Sequence, residues 1–141
     1  SKDSGWNLGG IAGIGGNIIE NCYNFGNIIA LSDFGGISGA STKTGYLKNC
    51  YNFGHVEAWN AGGITSQISG NVYVENSHNY GEISGSNYVA GIVAIVSSNT
   101  AKITRCSNNA KISGLSPNDK TDGICPSNMG IITDCIDYFE Q

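Results

Sequence analysis

The hexapeptide Asn-Cys-Tyr-Asn-Phe-Gly occupies residues 21–26 and recurs, letter for letter, at residues 49–54. A third copy, Asn-Ser-His-Asn-Tyr-Gly, occupies residues 76–81, and two weaker copies begin at Arg105 and Asp134. The Cys position of each copy follows the previous one after 27 to 29 residues. Self-similarity at this period is typical of solenoids, in which each repeat forms one turn.

A second motif, Gly-Gly-Ile, precedes each of the first three hexapeptides, at residues 9–11, 35–37 and 62–64. Between the motifs, one apolar residue always lies three positions before the Cys position, and in the first four copies another lies six positions after it. The remaining two gaps vary in length, which is typical of loops. Side chains alternate along a strand, so on a continuous strand the Cys and the apolar residue three positions before it would point to opposite sides. For both to point inward, a fixed corner is expected just before the Cys.

These spacings predict an all-β fold, a parallel β-helix with three short strands per rung and about five rungs of about 28 residues. The crossover preference of parallel strands predicts a right-handed helix. Residues 1–141 are expected to form a single solenoid domain. Because the chain opens in mid-pattern without a convincing cap, we expect it to be a fragment of a longer repeat-containing protein.

Composition narrows the functional classes. Only 13% of the 141 residues are charged and the net charge is −4, without a basic cluster, which argues against a nucleic-acid partner. No apolar run approaches the roughly 18 residues that span a membrane, so no membrane insertion is expected.

The two motifs together resemble the GLUG-type repeats of bacterial surface proteins, which accompany adhesin-like proteins and immunoglobulin A metallopeptidases. The resemblance covers residues 9 to about 139 and is strongest in the first three copies. It implies export and display at the cell surface, with the repeats in an accessory role. The metallopeptidase signature His-Glu-x-x-His is absent from the sequence, so no catalytic role is carried over.

The Cys column could form disulfides, a metal site or a ladder of free thiols. In-register side chains on neighbouring parallel strands lie further apart than the favoured Cβ separation of a disulfide, about 3.8 Å. Zinc needs ligands that converge tetrahedrally, which a linear column does not provide. Since Ser77 replaces one member without disturbing the repeat, we expect a buried ladder of unbridged cysteines, and an unpaired Cys125 outside it. The ladder members are Cys22, Cys50, Cys106 and Cys135.

The Asn column is expected to form a hydrogen-bonded ladder, because an amide side chain can donate to one neighbour and accept from the other. Its members are Asn24, Asn52, Asn79 and Asn108, followed by Asp137.

Two aromatic columns are the candidates for binding. Tyr23, Tyr51 and His78 point outward by alternation, and the pattern leaves open whether they are exposed. The second aromatic column contains Phe25, Phe53 and Tyr80. We expect these rings to turn inward at the Asn-x-Gly corner and to stack as part of the core. Trp59 and Trp6 are further candidates for exposed aromatic contacts.

Catalysis is not expected. Glu20 and Glu75 share a column, but Lys48 lies between them and a neutralised surface ladder is the simpler interpretation. His55 and His78 lie in different columns without an evident nucleophile. We therefore expect no enzyme activity, no cofactor and no metal site.

The leading hypothesis is a non-catalytic repeat segment of a secreted or cell-surface bacterial protein, acting as a structural stalk or adhesion module. The alternatives are a carbohydrate-binding module that uses outward aromatics, and an accessory region of a surface protease. Expected partners are glycans, host or cell-surface proteins, and flanking domains of the same chain.

Overall fold

Residues 7–15 and 18–139 are described by the computed structural model of the chain. Over these ranges the chain winds through about five turns of a parallel β-solenoid without any helix, and hence without a helix that could cross a membrane. Equivalent strands of successive turns pair in parallel and form five sheets, which we call ladders 1 to 5 in chain order. The predicted all-β parallel solenoid with turns of about 28 residues is confirmed.

Each ladder takes one short strand from each turn. Ladder 1 contains Leu8–Gly9, Phe34–Gly35, Ala61–Gly62, Tyr88–Ala90 and Lys120–Asp122. Ladder 2 contains Ala12–Gly15, Ser38–Ser41, Thr65–Ile68, Val93–Val96 and Ser127–Asn128. Ladder 3 contains Ile18–Glu20, Thr44–Lys48, Asn71–Glu75, Lys102–Thr104 and Ile131–Thr133. Ladder 4 contains Tyr23–Asn24, Tyr51–Asn52, His78–Asn79, Ser107–Asn108 and Ile136–Asp137. Ladder 5 contains Ile28–Ile29, Val56–Ala58, Ile83–Gly85 and Ile112–Gly114.

The register between turns is the one that the apolar spacings predict. In ladder 3, Leu47 lies between Ile19 and Val74. The apolar column six residues after the Cys position stacks equally in ladder 5. Because side-chain direction alternates along a strand, a slip of one residue would turn these columns to solvent. The repeat spacing therefore determines which side chains form the core.

A turn contains five short strands, where the sequence predicted three segments. The hexapeptide segment divides at Asn-x-Gly into ladders 4 and 5, and the Gly-Gly-Ile segment divides into ladders 1 and 2. At the second division the backbone folds back tightly, since a Cβ on Gly35 would lie 2.0 Å from the carbonyl oxygen of Ser38. A glycine in the middle of an apolar segment marks a corner here, and counting apolar segments alone misses it.

The fixed corner expected before the Cys position is present in every turn. Its residue has a left-handed backbone, with φ between 44° and 55°: Asn21, Asn49, Asn76, Arg105 and Asp134. Asn and Asp adopt this conformation more readily than most residues. The corner joins ladder 3 to ladder 4 and turns the chain at the same point in each turn.

The interior holds two apolar clusters of the middle turns. The larger lies behind ladders 2 and 3 and includes the Ile of the Gly-Gly-Ile motif, fully buried at Ile37, Ile64 and Ile92. The smaller lies behind ladders 1 and 5, around Val56 and Ile83. Full burial of each such side chain contributes roughly 1.5–3 kcal/mol, so the core of the middle turns is the main source of stability.

Charged residues lie on the outside, and their positions follow the register of the ladders. Lys48 is the strand partner of both Glu20 and Glu75. Arg105 lies 3.5 Å from Glu75 of the preceding turn. A long side chain at the corner can reach across to ladder 3 of the previous turn. This exposed pair is worth little, about 0–1 kcal/mol.

The fourth turn carries a long insertion, from Leu115 to Asp122. Most of its residues are exposed, but its last three pair with Tyr88–Ala90 as the outer strand of ladder 1. The loop is closed by Asp119, whose carboxylate accepts hydrogen bonds from the backbone N–H and the hydroxyl of Ser116. The insertion therefore leaves the path of the solenoid and returns to it.

Candidate functional site

The outward side of ladder 4 carries the aromatic residues of the hexapeptide. Asn24 points into the solenoid, so its neighbours Tyr23 and Phe25 both point out. The Asn24 side-chain oxygen accepts a hydrogen bond from Gly26 N–H at 3.2 Å, which places the corner after Phe25. The same alternation holds in the next two turns. We call the resulting surface the aromatic strip: Tyr23, Tyr51, His78, Phe25, Phe53 and Tyr80.

The prediction that Phe25, Phe53 and Tyr80 turn inward is wrong. These side chains are 71%, 42% and 47% exposed. The interior space at this corner is filled by the Asn column, whose amides bond the backbone across the corner and leave no room for rings. The Tyr column, for which the sequence left exposure open, is half exposed at Tyr23 and partly buried at Tyr51.

The rings of the strip stack from turn to turn in two parallel columns. In one column the centroids of Phe25 and Phe53 are 5.0 Å apart and those of Phe53 and Tyr80 are 5.1 Å apart, with planes within 8°. In the other, Tyr23 and Tyr51 are 5.1 Å apart. These distances match the strand spacing and the offset-stacked geometry that aromatic pairs prefer. The strip is therefore an ordered surface, fixed by the backbone register.

Stacking decides which parts of the rings a ligand can reach. Phe53 has a ring neighbour on each face, so mainly its edge is accessible. The first-turn rings have a stacking partner on one side only among the described residues, and Phe25 is accordingly the most exposed ring of the strip. The centre of the strip thus offers ring edges and a Tyr hydroxyl, and its first turn offers ring faces.

His78 is held in the strip by two hydrogen bonds and by Tyr51, whose ring centroid is 5.3 Å away. Its Nε2 lies 3.2 Å from Asn76 Oδ1, an acceptor, so Nε2 carries the proton. Its Nδ1 then accepts from the Ser107 hydroxyl at 2.7 Å. Burial lowers the pKa of His78 below its ordinary value. A neutral, doubly bonded imidazole suits a structural contact at the end of the Tyr column.

The Cys column closes the fixed corner from inside. The Cys50 thiol donates to the carbonyl of Lys48, two residues earlier, at 3.5 Å, and Ser77 donates in the same way to Glu75 at 2.9 Å. The other members repeat this bond: Cys22, Cys106 and Cys135. A hydroxyl serves as well as a thiol, which explains why Ser can replace Cys in the third turn. All four cysteines of the column, and Cys125, are free.

The environments of the thiols predict their order of reaction with a thiol reagent at pH 7.5. Burial raises the pKa of Cys50 to about 11 and that of Cys125 to about 12. Hydrogen bonding from Cys106 lowers the pKa of the half-buried Cys135 thiol below its ordinary value. Because the thiolate is the reactive form, Cys135 should react first in the folded protein.

The partly exposed Cys22 should follow, and Cys50, Cys106 and Cys125 should react only after denaturation. Mass spectrometry of labelled peptides, with and without denaturant, measures this order. Native labelling of Cys50 as fast as Cys135, or a Cys22–Cys50 bridge in non-reduced peptides, would contradict it.

The Asn column forms a continuous amide ladder inside the solenoid. Each side-chain NH2 donates to the side-chain oxygen of the next turn at 2.8–2.9 Å, from Asn24 through Asn52, Asn79 and Asn108 to Asp137. Each also donates to a backbone carbonyl two residues later in its own turn. The ladder ties neighbouring turns together and holds the corner of every turn beneath the aromatic strip.

The amide ladder also explains the Gly-Gly-Ile motif. A Cβ on the second glycine would lie 2.5 Å from Asn52 Oδ1 at Gly36, and 2.6 Å from Asn79 Oδ1 at Gly63. Gly91 stands in the same relation to Asn108. The amide of each turn occupies the space that a side chain would fill, so the two motifs of the repeat contact one another across the interior.

Two further amide columns escaped the sequence analysis. At the fixed corner, Asn76 donates to Asn49 at 2.6 Å, and Asn49 donates to Asn21 at 3.2 Å. Before ladder 1, a similar column runs through Asp33, Asn60 and Asn87. The signal for the first was an Asn before the Cys position in three turns. The second falls in a gap of variable length, where the repeat alignment is weakest.

Trp59 lies apart from the aromatic strip, at the corner after ladder 5, and is 47% exposed. The structure does not bring it near Tyr23, Tyr51 or His78 as part of one site. Trp6 lies outside the described residues. Within residues 7–15 and 18–139, no group of three His, Cys, Asp or Glu side chains is arranged to hold a metal ion.

The chain matches no protein family model, no curated protein and no solved structure. Its resemblance to GLUG-type repeats therefore stays an expectation based on the two motifs.

Proposed function

We propose that this chain is a non-catalytic repeat segment of a secreted or cell-surface bacterial protein, a stalk that presents an adhesive side. The observation that carries the proposal is the aromatic strip, a row of ordered and exposed rings. Large exposed apolar patches on folded proteins mark surfaces of interaction. The core does not use these rings, because the Cys and Asn columns fill the interior behind them.

The stalk role is supported by the continuity of the ladders. Backbone hydrogen bonds join neighbouring turns on every side, and amide ladders reinforce them at the corners. Neighbouring turns are about 4.8 Å apart, so five turns extend about 25 Å along the axis. A rod of this kind holds whatever is attached to it at a fixed distance.

The adhesive role can be tested with beads that carry the protein and flow over arrays of immobilised proteins and glycans. The test variant is Tyr23→Ser combined with Phe25→Ser, which removes the two most exposed rings of the aromatic strip without touching the interior. The control is Tyr73→Ser, on the outer side of ladder 3. We expect selective retention of wild type and control on protein surfaces, and at least about a tenfold loss for the double variant, given the weight of aromatic anchors at interfaces. Equal retention of all three proteins on every surface would overturn the adhesive role.

A carbohydrate-binding module is the second candidate, favoured by the open ring faces of the first turn. Sugar rings stack on aromatic faces, and Tyr23 and Phe25 each have a face without a ring neighbour in the described structure, as Tyr80 has at the other end of its column. On the same array, this function requires retention by particular glycans that is lost in Phe25→Ser alone. Silence on all glycans, with retention on proteins, separates the two candidates. An accessory role beside a surface protease rests on the repeat resemblance alone.

A further inference from the structure

A cleft on the flank of the solenoid lies at ladder 5 and the corner that follows it. Its volume is about 190 Å³. The cleft is separate from the aromatic strip and shares no residue with it. Its lining includes Leu31, Glu57, Trp59, Ser86 and Leu115.

The cleft exists because one turn lacks a large side chain in an otherwise apolar column. Trp59, Ser86 and Leu115 each directly follow the last paired residue of ladder 5 in their turn, which is Ala58, Gly85 or Gly114. Leu31 lines the cleft from the same corner of the first turn. Ser86 therefore leaves a notch between Trp59 and Leu115, whose backbones are two strand spacings apart, about 10 Å. A notch of this width admits one extended aliphatic chain between the two side chains.

The walls of the cleft are apolar and open to solvent. Trp59, Leu115 and Leu31 are 47%, 59% and 69% exposed. Glu57 is the one charged residue of the lining, two positions before Trp59 and on the same side of the chain. Its carboxylate lies 3.9 Å from His55 Nε2 and no Lys or Arg lines the cleft. The cleft thus combines an indole, aliphatic walls and a carboxylate.

We propose that this cleft binds an aliphatic cation, the side chain of a lysine on a partner polypeptide. The methylene stem would pack in the notch over Ser86, and the ammonium would lie between the Trp59 ring and the Glu57 carboxylate. Trp is the aromatic side chain that attracts cations most strongly, and a nearby carboxylate adds to that attraction. The net charge of −4 also favours the approach of a basic partner.

The test follows the indole N–H signal of Trp59 by NMR, assigned with Trp59→Phe, while two small probes are titrated. N-acetyl-lysine methylamide carries the ammonium, and N-acetyl-norleucine methylamide carries an aliphatic stem without it. We expect the lysine probe to shift the signal and to bind about threefold to tenfold more tightly than the norleucine probe.

Two variants locate the binding. Ser86→Leu fills the notch and should abolish the shift without lowering the melting temperature, because position 86 is exposed and lies between apolar neighbours. Glu57→Gln should reduce the preference for lysine over norleucine, because only the Trp59 ring then attracts the ammonium, and should leave norleucine binding unchanged. Gln67→Leu, on ladder 2, adds an apolar side chain elsewhere and should change neither.

Equal affinity for the two probes in the wild type would overturn the proposal by showing a purely apolar groove. Unchanged lysine binding in Ser86→Leu, at an unchanged melting temperature, would overturn it by placing the probe elsewhere. If Ser86→Leu does not fold, Glu57→Gln decides: an undiminished preference for lysine contradicts the proposal and a reduced preference supports it. A failure here leaves the adhesive strip untouched, since the bead assay uses other residues.

Discussion

Replacing Asn79 with alanine is expected to destabilise the protein by about 3–5 kcal/mol, the cost of leaving several buried polar groups without partners. Asn79 is fully buried and lies in the middle of the amide ladder. Its NH2 donates to Asn108 Oδ1 and to the carbonyl of Gly81, both at 2.8 Å, and its oxygen accepts from Asn52 at 2.9 Å. Chemical denaturation monitored by far-ultraviolet circular dichroism measures the loss.

The matched control is Asn109→Ala. Asn109 directly follows Asn108, the ladder member of the fourth turn. Its side chain lies outside the amide ladder and donates to the Ser107 hydroxyl at 3.0 Å and to the Asn79 carbonyl at 3.5 Å. The expected loss is about 1 kcal/mol, as for partly exposed hydrogen bonds whose partners can turn to water. Equal losses for the two variants would contradict a special role of the interior amides.

Asn79→Asp separates hydrogen bonding from size. A carboxylate in this place is buried and faces the Asn108 oxygen without a proton to donate, so its pKa in the folded state should lie above its unfolded value. The variant should therefore be closest to wild type in acid, below the unfolded pKa of about 3.9, and should lose stability relative to wild type as the pH rises. A difference from wild type that does not depend on pH would contradict the buried position.

Replacing Gly63 with alanine is expected to cost at least about 3 kcal/mol, because the added atom has no space and the backbone must move. The Cβ would lie 2.1 Å from the carbonyl oxygen of Gly91 in the next turn, and 2.6 Å from Asn79 Oδ1. Asn79 belongs to the amide ladder, and Gly91 lies between the ladder 1 and ladder 2 strands of the next turn. The same denaturation experiment applies, and partial loss of the folded signal at room temperature is an expected outcome.

Gly13→Ala is the control for this substitution. A Cβ on Gly13 would meet its nearest neighbour, the carbonyl oxygen of Asn7, at the ordinary distance of 3.5 Å. The variant should change stability by no more than about 0.5 kcal/mol, as at other exposed positions. A loss at Gly63 that is no larger than the loss at Gly13 would contradict the contact between the two motifs of the repeat.

The register of the fold could be predicted from the sequence because the constraint is periodic. Leu47 and its equivalents keep a constant distance to the Cys position, and a one-residue slip would expose all of them. The corner before Cys followed from the same count. The five-sided cross-section could not be predicted in this way, because the additional corners at Gly-Gly and Asn-x-Gly fall inside segments of constant length.

The candidate site was predicted in part. Alternation placed Tyr23 and Tyr51 outward, whereas Phe25 was expected to turn inward at the Asn-x-Gly corner. The hydrogen bond from Gly26 N–H to the Asn24 side chain places the corner after Phe25, so that the ring points outward. This bond depends on the amide ladder of the folded state. The cleft beside Trp59 depends on a missing side chain at Ser86, which becomes visible only once four turns are aligned.

The claim that turns stack in this register, and thereby align the rings of the aromatic strip, is tested most directly by nuclear Overhauser effects between aromatic protons. We expect strong effects between Phe25 and Phe53 and between Phe53 and Tyr80, whose centroids are 5.0 Å and 5.1 Å apart although the residues are 27 to 28 positions apart in the chain. Absence of both effects in the folded protein would contradict the account. Effects that connect Phe53 to the residues next in sequence to Phe25 and Tyr80 would also contradict it, because they would show a shifted register.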